Sequence, residues 1–295
     1  MIVRTTYKDR PAYLVRGGRL SALFLPEDGG KMASLTDGAR EYLAQAPGET
    51  YLRLFPDSDY VSCECSGFDD MFPTIDPYTP SEGMCAGIPY PDHGEVCRYP
   101  QETACGENSL SFVFRSRRFP VVFSKNVSVS ENGALAIDYT LDNRGNGDYP
   151  YLWAAHCMLA ASADAQIVLP YGADAEVRPM FGALLSRTHT QPYSPEGESY
   201  KFYFTQPAAQ GYCGYRYAGG RTLMLRYPPE IVRYLGIWIN NGSFKGMYNI
   251  ALEPCTAPYD RPDAAQAAAC GSVIPAGESV RFRLTIDLEG KEGEV

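Results

Sequence analysis

Only three histidines occur in the 295 residues, at positions 93, 156 and 189, and two of them have neighbours suited to proton transfer. His93 lies in Pro91-Asp92-His93-Gly94-Glu95-Val96, where the acids around it favour the protonated ring. His156 lies in Tyr151-Leu152-Trp153-Ala154-Ala155-His156-Cys157-Met158-Leu159, an apolar stretch that folding should bury at least halfway. A histidine there is either a satisfied core side chain or a deliberate acid or base. His189, between Thr188 and Thr190 in a polar stretch, carries no such signal. Glu253 ends the apolar run Asn249-Ile250-Ala251-Leu252-Glu253 and is followed by Pro254, which should close the strand. A charge in that position must be paired, solvated through a cleft, or put to use. Asp69 and Asp70, in Gly67-Phe68-Asp69-Asp70-Met71-Phe72-Pro73, sit among aromatic residues. The arrangement suits hydrogen bonds to sugar hydroxyls under rings that cover C–H faces, and it equally suits a turn stabilised by Asp side chains. Trp238, in Leu235-Gly236-Ile237-Trp238-Ile239-Asn240, offers either a stacking face or a core side chain.

Other chemistries lack their residues. There is no Gly-x-Ser-x-Gly elbow, no Walker-type Gly-Lys-Ser/Thr, no Gly-x-Gly-x-x-Gly opening a helix and no His-x-x-x-His pair. No nucleotide cofactor and no catalytic metal are therefore expected. The nine cysteines are odd in number and scattered, as reduced thiols used in a core would be. Cys63, Cys65 and Cys85 could be grouped as metal ligands, but their spacing fits buried thiols better.

The elements that must hold these groups read as β structure. Hydrophobic residues are 45%, charged residues 21%, and 22 Tyr and 13 Phe favour strands, while 28 Gly and 23 Pro supply turns. Val280, Phe282, Leu284, Ile286 and Leu288 alternate with polar residues at period two, which predicts a strand with one buried face. Val121 to Ser130 and Ala134 to Leu141 predict a hairpin through Asn132-Gly133. Asp37-Gly38 should join Met32–Thr36 to Glu41–Leu43, and Asn241-Gly242 should join Tyr234–Asn240 to Met247–Leu252. One short helix is expected over Ala264–Ala269, capped by Asp263 and ended by Gly271. Residues 56–100 and 171–197 read as long loops, and the first is the expected seat of function. The whole chain, 1–295, reads as one all-β domain with long loops and few short helices, in which 289–295 form a frayed tail.

Formal net charge is −9, and no basic run exceeds Arg115–Arg118, so a phosphate backbone would be repelled and nucleic acid is not an expected partner. No stretch approaches the ~18 apolar residues of a membrane helix, and Met1–Asp9 is too polar for a signal-peptide core. The expectation is a cytoplasmic protein, monomeric or homodimeric.

Taken in order, Gly29-Gly30-Lys31-Met32-Ala33-Ser34-Leu35, Gly67 to Pro73, Gly87-Ile88-Pro89 leading to Asp92-His93-Gly94-Glu95, Trp153 to His156, and Leu252-Glu253-Pro254-Cys255-Thr256 before Asp260 resemble the aldose 1-epimerase family, of the galactose mutarotase-like superfamily. The resemblance spans roughly residues 26 to 260. It implies a large β-sandwich with an open cleft for a pyranose, no cofactor, and interconversion of α and β anomers. By resemblance Glu253 is the general base, His156 the general acid, and His93 helps hold the sugar near its ring oxygen. Asp70 and Trp238 are further expected substrate contacts. The surroundings of His156 depart from the family's Asn-His-aromatic pattern, and Arg98 follows His93 by five residues where the hexose-6-phosphate branch has an Arg at four. Phosphate binding by Arg98 is the weaker expectation, because the acids at 69, 70 and 76 favour a neutral sugar. Two other classes remain: a carbohydrate-binding or sensing module without turnover, and a lyase or hydrolase acting on a longer sugar.

Overall fold

The computed structural model describes residues 1–162, 165–172, 174–182 and 197–290. Ten strands make one antiparallel sheet, in the order Ile2–Tyr7, Arg10–Gly17, Leu20–Leu25, Lys31–Thr36, Phe68–Met71, Ala154–Ala160, Tyr248–Cys255, Tyr234–Asn241, Glu198–Phe204 and Val177–Phe181. Eight make a second, in the order Gln166–Val168, Tyr212–Arg216, Thr222–Arg226, Ser279–Glu289, Leu135–Asn143, Val121–Val129, Ser109–Arg115 and Glu102–Cys105. The two sheets pack face to face as a sandwich. Phe24 meets Phe112 across the interface at 5.9 Å between ring centres, and Trp153 meets Phe282 at 4.7 Å. One large apolar cluster draws side chains from both sheets, including Phe72, Phe123, Leu141, Leu225, Ile237 and Leu284.

The period-two pattern at the C-terminus is a strand whose Phe282, Leu284, Ile286 and Leu288 are buried. Strands Val121–Val129 and Leu135–Asn143 pair as the expected hairpin, with Gly133 at φ +85° in its turn. Gly242, at φ +94°, likewise turns the chain between Tyr234–Asn241 and Tyr248–Cys255. After Asp37-Gly38 the chain returns only as isolated bridges at Glu41 and Leu43.

Four expectations change. The helix spans Pro262–Ala267 with Arg261 at its N-cap and Pro262 at its first position, so Asp263 lies inside the first turn and is not the cap. Pro254 does not stop its strand, which runs on to Cys255. Residues 56–100 are not all loop: Phe68–Met71 forms a strand in the middle of the larger sheet, against Ala154–Ala160. Two adjacent acids concealed that strand, because buried carboxylates are unexpected in a central position unless paired. Residues 171–197 are likewise not all loop, since Val177–Phe181 is the edge strand of the larger sheet; His189, most of that segment and the last five residues of the tail lie outside the described residues.

Candidate functional site

Register builds the site. Across the larger sheet, Asp69 pairs with His156, and the ladder that pairs Ala154 with Cys255 and Cys157 with Leu252 puts His156 opposite Glu253. Glu253 pairs with Gly236, and Gly236 with Tyr203. Directly opposed residues share a face, so Asp69, His156, Glu253 and Tyr203 form one row across five strands, on the face turned away from the second sheet. Gly236 gives this row its room: a Cβ there would lie 2.8 Å from the Tyr203 ring and 3.2 Å from Glu253 Oε2. The next row on the same face, by the same registers, holds Met158, Ala251, Trp238 and Lys201, and the one beyond it Asn249, Asn240 and Ser199.

These rows floor a cavity of about 270 Å³ lined by His93, His156, Lys201, Trp238, Glu253 and Asp260, among others. His156 Nε2 stands 3.6 Å from Glu253 Oε1. Lys201 Nζ lies 2.8 Å from Glu253 Oε2 and 2.7 Å from Asp260 Oδ1, and Tyr203 donates its hydroxyl to the same Asp260 oxygen at 2.5 Å. Around this cavity Glu253 Oε1, His156 Nδ1 and Asn249 Oδ1 are buried without a hydrogen-bond partner, while Glu253 Oε2 has only its ionic contact with Lys201. Buried polar atoms are almost always partnered, so three such atoms around one cavity mark a place for a polar ligand.

His93 enters from the loop side. Its backbone sits at φ +56°, its Nδ1 lies 2.7 Å from Asp92 Oδ1, and its ring stacks on Tyr60 at 4.0 Å between centres. Tyr60 is pinned at three points. Its backbone N–H donates to Asp92 Oδ2, its hydroxyl donates to Asp69 Oδ2 at 2.8 Å, and its ring meets His156 edge-on at 5.6 Å. Asp69 also accepts from Lys31 Nζ at 2.9 Å. The mouth of the cavity is aromatic, with Trp238 set against Phe181 and Phe244.

The electrostatics are uneven. Burial, reinforced by the charges of His93 and Lys201, holds the His156 imidazolium well below the ordinary histidine range, so the ring is neutral at pH 7. Burial pushes Glu253 up, Lys201 pulls it back, and Asp260 adds to the rise. Lys201 is held above the ordinary lysine value by Asp260 and Glu253, which together outweigh its own burial. Asp92 lies below the usual carboxylate range because its bond to His93, the Tyr60 N–H and Arg98 outweigh its burial.

The structure thus brings together Glu253, His156, His93 and Trp238, and leaves Asp70 and Arg98 off the cavity wall. Asp70 points the other way from Asp69, as successive strand residues must. It lies between the sheets, 2.7 Å from Lys125 Nζ and 3.1 Å from Trp153 Nε1. Arg98 is 4% exposed, and its guanidinium is surrounded by the carbonyl oxygens of Phe55, Pro56, Ser58, Asp92 and Gly94. Those bonds lock the peptides on either side of His93 and leave no fork for a phosphate. Cys65 reaches the cavity, whereas Cys63 and Cys85 are buried elsewhere; all three are free thiols, and no cluster of three metal-type side chains occurs among the described residues.

Sequence reasoning missed Lys201, Tyr60 and Gly236. The signal for Lys201 was present: a single ammonium inside Ser199-Tyr200-Lys201-Phe202-Tyr203-Phe204 is as anomalous as Glu253 in its own strand. Gly236 and Tyr60 carried none, since a strand glycine and a loop tyrosine gain their meaning from what they face.

The chain is an all-β sandwich with a row of titratable side chains flooring a cavity off one sheet. No family model and no curated protein sequence matches the chain. Solved structures do. A candidate aldose 1-epimerase from Klebsiella pneumoniae superposes with a TM-score of 0.71 at 14% identity, covering 98% of this chain and 87% of that one. A galactose mutarotase-like protein from Clostridium acetobutylicum gives 0.68 at 13%, covering 99% of each. Another, from Lactobacillus casei, gives 0.67 at 15%, covering 94% of this chain and all of that one. The chain has the galactose mutarotase-like fold, as the ordered motifs implied.

Proposed function

We propose that the cavity binds the pyranose form of an aldose and interconverts its α and β anomers, with Glu253 and His156 as the proton-transfer pair. The observation that carries this reading is the meeting of an unpartnered carboxylate oxygen and an imidazole 3.6 Å apart on facing strands, inside a cavity. Ring opening takes a proton from the anomeric hydroxyl and delivers one to the ring oxygen; the C1–C2 bond then rotates and the steps reverse. Both oxygens are bonded to C1, so base and acid must lie close together, as these two do. His93 helps hold the ring oxygen, and Trp238 offers the face on which the sugar's C–H groups rest.

Glu253 and His156 act as one proton reservoir. Burial disfavours charge on either group, so the catalytic form is the one in which the pair shares a single proton: the member that holds it is the acid and the other is the base. Ring closure uses the roles exchanged and returns the pair to its starting form, so both anomeric directions begin from the same protonation state. The rate should therefore be bell-shaped in pH. It falls on the alkaline side as the shared proton is lost and on the acid side as a second proton arrives. A rate flat from about pH 4 to 9 contradicts the pairing, given ordinary values near 4.3 for Glu and 6.5 for His.

The deciding experiment is NMR anomer exchange on a panel of free and phosphorylated aldoses, wild type against Glu253→Gln. Acceleration present in wild type and lost in the variant supports the reading. Sugar line broadening without acceleration on any aldose replaces it with a binding or sensing module.

A further inference from the structure

We infer that Lys201 is a positioning residue of the proton-transfer pair: by bridging Glu253 and Asp260 it offsets the cost of burying charge on the Glu253 carboxyl, so that the carboxyl can both hold and release the shared proton, and it turns the other carboxyl oxygen toward His156. The assignment of a catalytic consequence rests on the mutarotase reading above; the electrostatic assignment stands on geometry alone. Lys201 is 7% exposed and Glu253 is fully buried, yet the ammonium lies within 2.8 Å of one carboxylate and 2.7 Å of another. With Oε2 held by Lys201, only Oε1 is left to face His156.

The charges around Glu253 leave this job to Lys201. From the neighbouring strand Ala154–Ala160 comes His156; from the loops come His93 and Asp260, the latter with Asp76 beside it. The strand Tyr234–Asn241 contributes only Gly236 opposite Glu253, and Glu198–Phe204 contributes Lys201 and the neutral Tyr203. Cys255 follows on the same strand as a buried thiol. Of these groups Lys201 alone is a permanent cation in contact with Glu253. It does two things in the same direction: it opposes the rise that burial imposes on Glu253, and it helps exclude a proton from His156. Removing that charge must raise the proton affinity of both members of the pair.

The test compares Lys201→Met, Lys201→Arg and the double variant Lys201→Met/Asp260→Asn with wild type. The free proteins are labelled with carboxyl-¹³C glutamate, Glu253 is assigned by its loss in Glu253→Gln, and its titration is followed by NMR without sugar. Lys201→Met should move the Glu253 midpoint upward by about one to three pH units, the usual effect of a charge at this distance. Lys201→Arg should restore it. If the single variant does not fold, the double variant removes the ammonium with one of its carboxylates and should still show a smaller upward shift. An unmoved midpoint in either folded variant overturns the inference. In pH–rate profiles both limbs should move to higher pH in Lys201→Met, whereas a purely structural lysine would lower the rate without moving them. Absence of acceleration by wild type on every aldose would count against the mutarotase reading and leave the titration to judge Lys201 by itself.

Discussion

Lys125 and Lys201 are both buried, and both reach a carboxylate on a central strand of the larger sheet. Lys125 comes from the second sheet and meets Asp70 between the layers; the other Asp70 oxygen accepts from Trp153, and the pair is surrounded by Phe24 and Phe112. Lys201 meets Glu253 on the opposite face, where one Glu253 oxygen, a ring nitrogen of His156 and the side-chain oxygen of Asn249 stay unpartnered beside a cavity. In the first network both Asp70 oxygens are taken, so it pins the two sheets together. The second is left open toward a space of ligand size. Burying charge is unfavourable in both places, and what separates the two is that the unpartnered polar atoms of the second gather on a cavity a ligand can enter.

The largest expected effect falls on the open network. Glu253→Gln should cut anomer exchange by about 10² to 10⁴, the usual contribution of a general base, while its urea midpoint stays near wild type. The network around Asp70 should give the reverse. Lys125→Met strands Asp70 as a buried charge and should cost about 3–5 kcal/mol in urea unfolding, with the pH–rate profile of the surviving folded protein unmoved. A profile that shifted in Lys125→Met would erase the distinction between the two sites.

Arg98→Met probes the clamp behind His93. Losing a buried cation bonded to several carbonyls should cost about 2–3 kcal/mol and raise KM more than it lowers kcat, because the His93 loop loosens while Glu253 and His156 stay. In wild type, a hexose 6-phosphate should show no advantage over the free hexose, since the guanidinium is already taken up by backbone oxygens. A strong preference for the phosphorylated sugar would reverse that assignment. The smallest effect is expected at Gly236→Ala, where the new methyl group would crowd Tyr203 and the end of Glu253. A destabilisation of about 1–2 kcal/mol with a measurable fall in rate is expected, and an unchanged rate would show that the crowding is absorbed away from Glu253.

Much of this was legible in the chain. The alternation from Val280 to Leu288 and the Asn-Gly and Asp-Gly turns are local rules, and local rules survive folding. The ordered motifs implied the fold, and the oddity of a histidine and a glutamate inside apolar runs pointed to His156 and Glu253 before any geometry was known. Asp69 and Asp70 were not separable in this way. One residue apart, they face opposite sides of a sheet, and nothing short of the neighbouring strands says which side is cavity and which is core. Arg98 misled for a related reason: its charge suggested an anion, while its partners are backbone oxygens from segments about 40 residues upstream as well as nearby ones.

By itself the sequence determined that the chain is built from strands and that two titratable groups inside apolar runs, at 156 and 253, needed an explanation, because hydrophobic period and charge within an apolar run are properties of short segments. The tertiary structure alone decided that these groups face one another, that Lys201 lies in contact with both Glu253 and Asp260, and that Asp70 and Arg98 lie away from the cavity. Strand register and sheet order set those distances, and both arise from contacts between residues far apart in the chain.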